Sequence, residues 1–270
     1  MTTSASRPDP RDFRTRLLNR EPVVGSFLKF TVPQVTEIFG QIGYDFVMLD
    51  EEHAPWTREQ LGHGYLAARA FGTAAFVRVS RPDAASILSA LDDGAIGVMV
   101  PHVNSAEKAR DVASWARYKG GTRGSGISRG GDYGGVMGPG GIDGYYEWAD
   151  NVTTVIAMIE DAEALDNIDE ITAVDGIDCF FMGRGDLGLS LSNVKGPKPT
   201  VAEATKTIAE AVLRNGKILA AVCPDLASDD AKAMADLGVT CMLVGNDQGF
   251  LRAGAAAQLK KFEALYNKGG

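Results

Sequence analysis

Four polar residues stand at or just past the end of short apolar runs: His53 after FVMLDEE, Arg78 in AAFVRV, Glu160 closing VTTVIAMIE, and Asp186 in FFMGRGD. Their chemistries are complementary. An imidazole moves protons near neutral pH. A guanidinium cannot shed its charge, so inside an apolar run it needs an anion. That anion is either a carboxylate on a neighbouring strand or a carboxylate or enolate oxygen of a substrate. Two carboxylates on adjacent strand ends suit a hard divalent ion such as Mg²⁺ or Mn²⁺, which keeps several waters and accepts substrate oxygens. If the runs are parallel strands of one closed sheet, all four side chains share a pocket at its carboxyl rim.

The rest of the chain is built to supply such a sheet. Apolar, β-branched runs at residues 23–30, 46–50, 75–79, 97–100, 152–160, 179–183, 218–222 and 241–245 alternate with amphipathic stretches. Those at 35–42, 57–70, 84–91, 106–118, 201–215 and 229–237 have helical period. Near-continuous apolar strands alternating with helices predict a parallel sheet covered on both faces. Eight such repeats in 270 residues predict one α/β domain, a (β/α)8 TIM barrel over 1–270, for which about 250 residues is typical. A doubly wound open sheet is the alternative, but no Gly-rich nucleotide turn follows the first strand. Gly43-Tyr44-Asp45, Gly94-Ala95, Gly176-Ile177-Asp178 and Gly238-Val239 each end a helix and launch a strand, as left-handed glycine caps do. The polar residues 1–10 read as a flexible tail.

Composition narrows the function. A formal charge of −8 with scattered basic residues argues against DNA or RNA as a partner. No apolar stretch approaches the ~20 residues of a membrane span, and the N-terminus lacks the apolar core of a signal peptide. Cys179, Cys223 and Cys241 lie far apart in strand-like runs and read as buried small hydrophobes in a reducing compartment. A cytoplasmic protein follows.

Around the four residues stand further candidates. Asp50 or Asp92 can orient the His53 ring, although Asp50 is equally suited to holding its own turn. His63 falls on a solvent face of a helix, and His102 ends a strand where it can line the pocket. Residues 120–144, of which 12 of 25 are glycine, exceed a routine connection. Punctuated by Arg123, Arg129 and Asp132, they read as a substrate-facing loop on the active rim rather than a disordered insertion. Gly183 to Gly188 formally matches GxGxxG. The Leu189-Ser190-Leu191-Ser192-Asn193 run and Pro-containing loop that follow predict no helix, so no dinucleotide site is read there. The glycines instead let backbone N–H groups approach a small carboxylate. The embedded Arg-Gly-Asp is no adhesion signal in a chain without secretion features.

At these residues the chain resembles the HpcH/HpaI aldolase family of metal-dependent class II pyruvate aldolases, from about Val23 to the last helix. The matching stretches are Asp50-Glu51-Glu52-His53-Ala54-Pro55, Val77-Arg78, Arg117-Tyr118 with Arg123-Gly124, Ile159-Glu160, and Gly183 to Leu187. The family's helix aspartate that supports the histidine falls on Asp92 in Leu91-Asp92-Asp93-Gly94. Departures are Met158 where a keto-acid-contacting glutamine is common, Arg184 in the Gly-x-x-Asp turn, and Lys119-Gly120-Gly121 in place of prolines.

The resemblance implies a mechanism. A 2-keto acid such as pyruvate chelates Mg²⁺ or Mn²⁺, with Co²⁺ a further option, held by Glu160 and Asp186. Backbone N–H groups of Gly185 and Asp186 meet its carboxylate, and Arg78 with the metal stabilises the enolate. His53, backed by Asp50 or Asp92, moves the protons; Met158, Arg184 and Arg123 bear on the substrates. Cleavage of a 4-hydroxy-2-keto acid would yield pyruvate and an aldehyde. No lysine is read at a comparable strand end, which argues against a Schiff base. Oxaloacetate decarboxylation or acyl-CoA lyase action would use the same enolate, although the acidic chain offers no basic cluster for CoA phosphates. A catalytically silent barrel subunit is the reading from another class, but base and metal carboxylates are all present. The terminal segment 248–266 is expected to pack on a neighbouring subunit in a homo-oligomer, a hexamer.

Overall fold

The computed structural model describes residues 8–266. Eight parallel strands close into a barrel in sequence order, β1 (Val23–Leu28), β2 (Phe46–Asp50), β3 (Ala74–Arg78), β4 (Gly97–Val100), β5 (Thr154–Ile159), β6 (Cys179–Met182), β7 (Ile218–Val222) and β8 (Val239–Asn246). The helices are α1 (Phe13–Leu18), α2 (Pro33–Ile42), α3 (Arg58–Ala70), α4 (Ala84–Asp93), α5 (Ala106–Trp115), α6 (Gly141–Val152), α7 (Ile168–Thr172), α8 (Arg184–Asn193), α9 (Val201–Arg214), α10 (Asp229–Asp236) and α11 (Asp247–Tyr266). The expected (β/α)8 architecture is therefore present. The fifth strand starts later than expected because Val152 closes α6, and the eighth is longer. Most of the expected tail, residues 1–7, lies outside the described residues; within the remainder, Asp9 accepts the Arg11 N–H and caps a 3₁₀ turn.

Strand alternation sorts the side chains into two cores. One face of each strand meets the helices through residues such as Val47, Leu49, Val77 and Ile159. The other fills the barrel with Phe46, Met48, Phe76, Met99, Ile156, Met158, Cys179 and Phe181. At its amino-terminal end the barrel is plugged by α1. Phe13 meets the rings of Phe46 and Phe76 edge-on at 5.2 and 4.8 Å. Gly25 is required because a Cβ there would lie 2.4 Å from the Phe46 ring. The helix-ending glycines Gly43, Gly94, Gly176 and Gly238 all adopt positive φ, as expected.

Residues 120–144 correct the sequence reading. The segment joins α5 to β5, and a connection entering a strand must lie at that strand's amino-terminal end, opposite the active rim. It packs against α3 and α4: Arg129 donates to the carbonyls of Gly62 and Asp93, and a Cβ at Gly130 would lie 2.3 Å from the Leu91 carbonyl oxygen. Its glycines serve that close approach, and it ends in the first turn of α6. No helix among the described residues is long and apolar enough to cross a membrane. The three cysteines are free and buried.

Candidate active site

The period of two that fills the barrel also builds the site. Continuing inward from Met48, Phe76 and Met158 by two residues gives Asp50, Arg78 and Glu160, the uppermost inward layer. Asp50 and Arg78 are register partners on β2 and β3. Arg78 is 6% exposed; its Nε donates to Asp50 Oδ1 at 2.8 Å, and its Nη2 lies 2.7 Å from the same oxygen. Its Nη1 is 3.2 Å from Glu52 Oε2, and the guanidinium lies 4.8 Å from the Phe27 ring centroid. The neighbouring-strand ion pair weighed for Arg78 is thus present. Desolvating such charges costs several kcal/mol each, offset here by two carboxylates.

Glu52 is a site residue that the sequence reading passed over. Besides Arg78, its carboxylate lies 3.8 Å from His53 Nε2 and 3.8 Å from His102 Nε2. Only its place between Asp50 and His53 could have marked it. His53 follows β2 with a half-exposed ring, and its backbone N–H donates to Asp50 Oδ1 at 3.3 Å. Asp50 therefore holds the turn that carries His53, while Glu52 is the carboxylate nearest the ring.

His102 does line the site. It adopts a left-handed φ of 55°, which turns its N–H onto Glu160 Oε1 at 2.9 Å. Its Nδ1 lies 3.2 Å from Asp161 and 3.6 Å from Glu160. The expectation that no lysine stands at a strand end is corrected by Lys29, which directly follows β1. Its ammonium is 3.3 Å from Asp50 Oδ2, an oxygen that makes no hydrogen bond. The sequence reading had absorbed Lys29 into the first strand. Its charge is engaged by Asp50, an arrangement for an ammonium rather than for the neutral amine of an imine-forming lysine.

Glu160 follows β5 and is 2% exposed. Burial pushes its carboxyl up to about 7; Glu52 and Asp186 push the same way, and the His102 N–H opposes them. Asp186 stands in the first turn of α8 rather than at a strand end, exposed, where the helix N-terminus favours negative charge. That helix opens directly from β6, so the ground for dismissing a dinucleotide turn does not hold. With only Leu187 and Leu191 buried, α8 offers too short an apolar period to read. Gly183 has a different purpose: a Cβ there would lie 2.6 Å from Glu160 Oε2, so the glycine makes room for the carboxylate. No side chain caps α8, which suits the Gly185 and Asp186 N–H groups to a bound carboxylate.

A divalent ion fits this donor set. The buried Glu160 carboxylate is crowded by Glu52 and Asp186 and opposed by the His102 N–H and ring, and both prospective ligands are hard oxygens. Among the described residues no group of three or more His, Cys, Asp and Glu side chains is arranged to hold a metal. The pair therefore suits an ion that retains waters and leaves positions for substrate oxygens, rather than a closed cage.

Four expected residues have other surroundings. Met158 is buried in the barrel interior, two residues below Glu160. Arg184 turns outward to Asp230 and the Val222 carbonyl. Asp92 and Arg123 pair with each other at 3.0 Å. Asp92 lies near the end of α4, a helix of ten residues and hence about 15 Å long, leading away from the rim. Within one chain it does not meet His53.

Comparison with known proteins agrees with this geometry. The family model described as HpcH/HpaI aldolase/citrate lyase matches residues 24–253. A hydroxypyruvate/pyruvate aldolase of Delftia acidovorans is 32% identical, covering 93% of this chain and 92% of its own. A 2-keto-3-deoxy-L-rhamnonate aldolase of Shigella sonnei is 33% identical over 80% of each chain. The crystal structure of the citrate synthase SbnG superimposes with a TM-score of 0.82 at 31% identity, covering 94% of this chain and 98% of its own. Barrel, rim residues and relatives agree: the chain belongs to the HpcH/HpaI aldolase/citrate lyase family.

Proposed function

We propose that the protein is a class II aldolase, cleaving a 4-hydroxy-2-keto acid to pyruvate or a related 2-keto acid and an aldehyde, and catalysing the reverse addition. The observation that carries the reading is the buried Glu160 carboxylate beside Asp186, on the same rim as Arg78 and His53. The aldolase names of the relatives support it.

Glu160 and Asp186 would hold a divalent ion, Mg²⁺ or Mn²⁺ with Co²⁺ as a further option. Such an ion supplies Lewis-acid polarisation of the keto oxygen. The Gly185 and Asp186 N–H groups bind the substrate carboxylate. In cleavage, His53 accepts the C4 hydroxyl proton, the C3–C4 pair moves toward the carbonyl, and the aldehyde leaves. Arg78, fixed by Asp50 and Glu52, offers its guanidinium to the enolate oxygen, where charge develops. Glu52 stabilises the imidazolium, and reprotonation at C3 completes pyruvate. Met158 forms an apolar floor in place of an amide contact.

Asp92 can support His53 only from a second copy. The 20-residue α11 carries exposed Leu251, Leu259, Phe262 and Leu265 with little of the chain against it. We read it as an oligomer contact, in a hexamer, of a cytoplasmic enzyme acting on small molecules. The test of the whole reading is pyruvate release from a panel of 4-hydroxy-2-keto acids, with and without metal. Release from none of them, with oxaloacetate decarboxylated instead, would replace aldol cleavage by the related decarboxylation.

A further inference from the structure

The turn that carries Asp186 has little of its own to hold it. It reads Gly183-Arg184-Gly185-Asp186, so two glycines bracket one side chain, and glycine leaves the backbone its widest freedom. Gly183 caps α8 without a side chain, a Cβ at Gly185 would meet nothing within 4 Å, and the buried face of the helix begins only at Leu187. Upstream, the Gly183 N–H donates to the Ile159 carbonyl; downstream, Ser190 Oγ accepts the Ala162 N–H. Both bonds lie outside residues 184–186.

Within the turn the external tie is Arg184. It stands at the first helical position, and its guanidinium forks onto Asp230, Nη1 to Oδ1 at 2.5 Å and Nη2 to Oδ2 at 2.7 Å. Nη2 also donates to the Val222 carbonyl at 3.0 Å. Asp230 lies in the first turn of α10, whose start Ser228 caps, and Val222 ends β7. The turn is thereby tied across to the next strand and helix. A single ion pair this exposed contributes little, but a parallel fork with a carbonyl as third partner admits one geometry.

We infer that Arg184 is a positioning residue: clamped on Asp230 and Val222, it sets the first turn of α8 so that Asp186 faces Glu160 and the Gly185 and Asp186 N–H groups face the keto-acid carboxylate. This role rests on the metal and carboxylate site proposed above. Geometry and charge predict opposite outcomes here. A cation two residues from Asp186 repels a divalent ion, so removing its charge alone would tighten metal binding, whereas losing the clamp weakens it.

The test is calorimetric titration of the metal-free, full-length protein with Mn²⁺, with steady-state cleavage assayed alongside. Arg184→Ala should weaken Mn²⁺ about tenfold, the scale of losing a partner that orients a metal ligand. It should also raise KM for the keto acid, while kcat at saturating metal and substrate stays within about threefold. Asp230→Ala should weaken Mn²⁺ as well, and the double variant should be no worse than the worse single one. Arg184→Pro should recover most of the affinity, because proline fixes φ at a helical position whose N–H has no partner within the helix. Arg214→Ala, which breaks an exposed pair with Asp169, should change none of these. Unchanged or tighter Mn²⁺ binding in Arg184→Ala would overturn the clamp, as would additive losses in the double variant or a loss in Arg184→Pro equal to that in Arg184→Ala. Absence of Mn²⁺ binding by the wild type would overturn the metal pair together with the clamp, whereas wild-type binding beside an unaltered Arg184→Ala would overturn the clamp alone.

Discussion

Both Nε and Nη2 of Arg78 converge on a single oxygen of Asp50, inside the barrel and beneath the candidate site. The pair fixes the plane of the guanidinium and leaves Nη1 on the Glu52 side. Lysine cannot reproduce that fork. Arg78→Lys should fold and still bind metal, yet lose about a hundredfold or more in kcat, the scale of removing one oxyanion donor. Arg78→Ala should lose more and also unfold about 3–5 kcal/mol more easily, because Asp50 is left buried with Lys29 alone. Steady-state aldol cleavage and urea titration measure the two effects. Near-normal turnover in Arg78→Lys would remove the guanidinium from the chemistry.

Chelation tests the carboxylate pair. EDTA should abolish cleavage, and Mg²⁺ or Mn²⁺ should restore it in the wild type. Glu160→Gln and Asp186→Asn should each weaken metal binding, Glu160→Gln more strongly because its carboxylate is the buried one. Isothermal titration with Mn²⁺ reads this directly. Turnover indifferent to EDTA would point to metal-free chemistry.

The metal-free protein should show a pH dependence whose sign follows from Glu160. Its folded-state value is raised to about 7, above the ordinary carboxylate range, by burial with Glu52 and Asp186 adding to it. Below the unfolded-state value, both states carry the proton and there is no penalty. Between about 4.5 and 7 the unfolded chain ionises first, so folded stability declines as pH rises. The surrounding groups are His102, Asp161, Glu52 and Asp186. Thermal melts in EDTA should therefore fall with pH more steeply for wild type than for Glu160→Gln, and added Mg²⁺ should close the gap. Parallel pH profiles for the two proteins would refute the raised Glu160 carboxyl.

Separation of Asp92 from His53 by the length of α4 makes a prediction about assembly. Light scattering should report an oligomer, and removal of the segment after Asp247 should reduce it. His53→Ala and Asp92→Ala should each be impaired. Refolded together in equal amounts, they should recover toward about a quarter of wild-type activity if random mixing pairs the intact residues across an interface. No recovery from mixed refolding would leave Asp92 as the structural anchor of Arg123 alone.

The eight strands were legible because each is apolar on both faces, and Phe46–Asp50, Gly97–Val100 and Ile218–Val222 were read to the residue. The rim position of Asp50, Arg78 and Glu160 was legible for the same reason: a polar residue cannot continue such a run unless it opens onto the site. What failed was the assignment of ends. Residues 120–144 and Arg123 were placed on the active rim from composition, although a connection leading into a strand belongs to the other end. Lys29 was hidden by the apolar residues around it, and Glu52 by the acids beside it. Neither α1 nor α8 shows the apolar period of a long helix; Phe13 and Leu17 alone plug the barrel, and helix α8 is held by two leucines.

The inward layer of Asp50, Arg78 and Glu160 has a consequence for how such an enzyme diversifies. These groups are set by strand pairing, and slipping one strand by a single residue would exchange its inner and outer faces. Were these groups to carry the proposed enolate chemistry, it would be locked into the hydrogen-bond ladder of the barrel. The segments beyond the strands carry no such lock, and insertions or substitutions there leave the ladder intact. Selection can thus trade one aldehyde for another at the rim while the acid-forming half of the reaction is inherited unchanged.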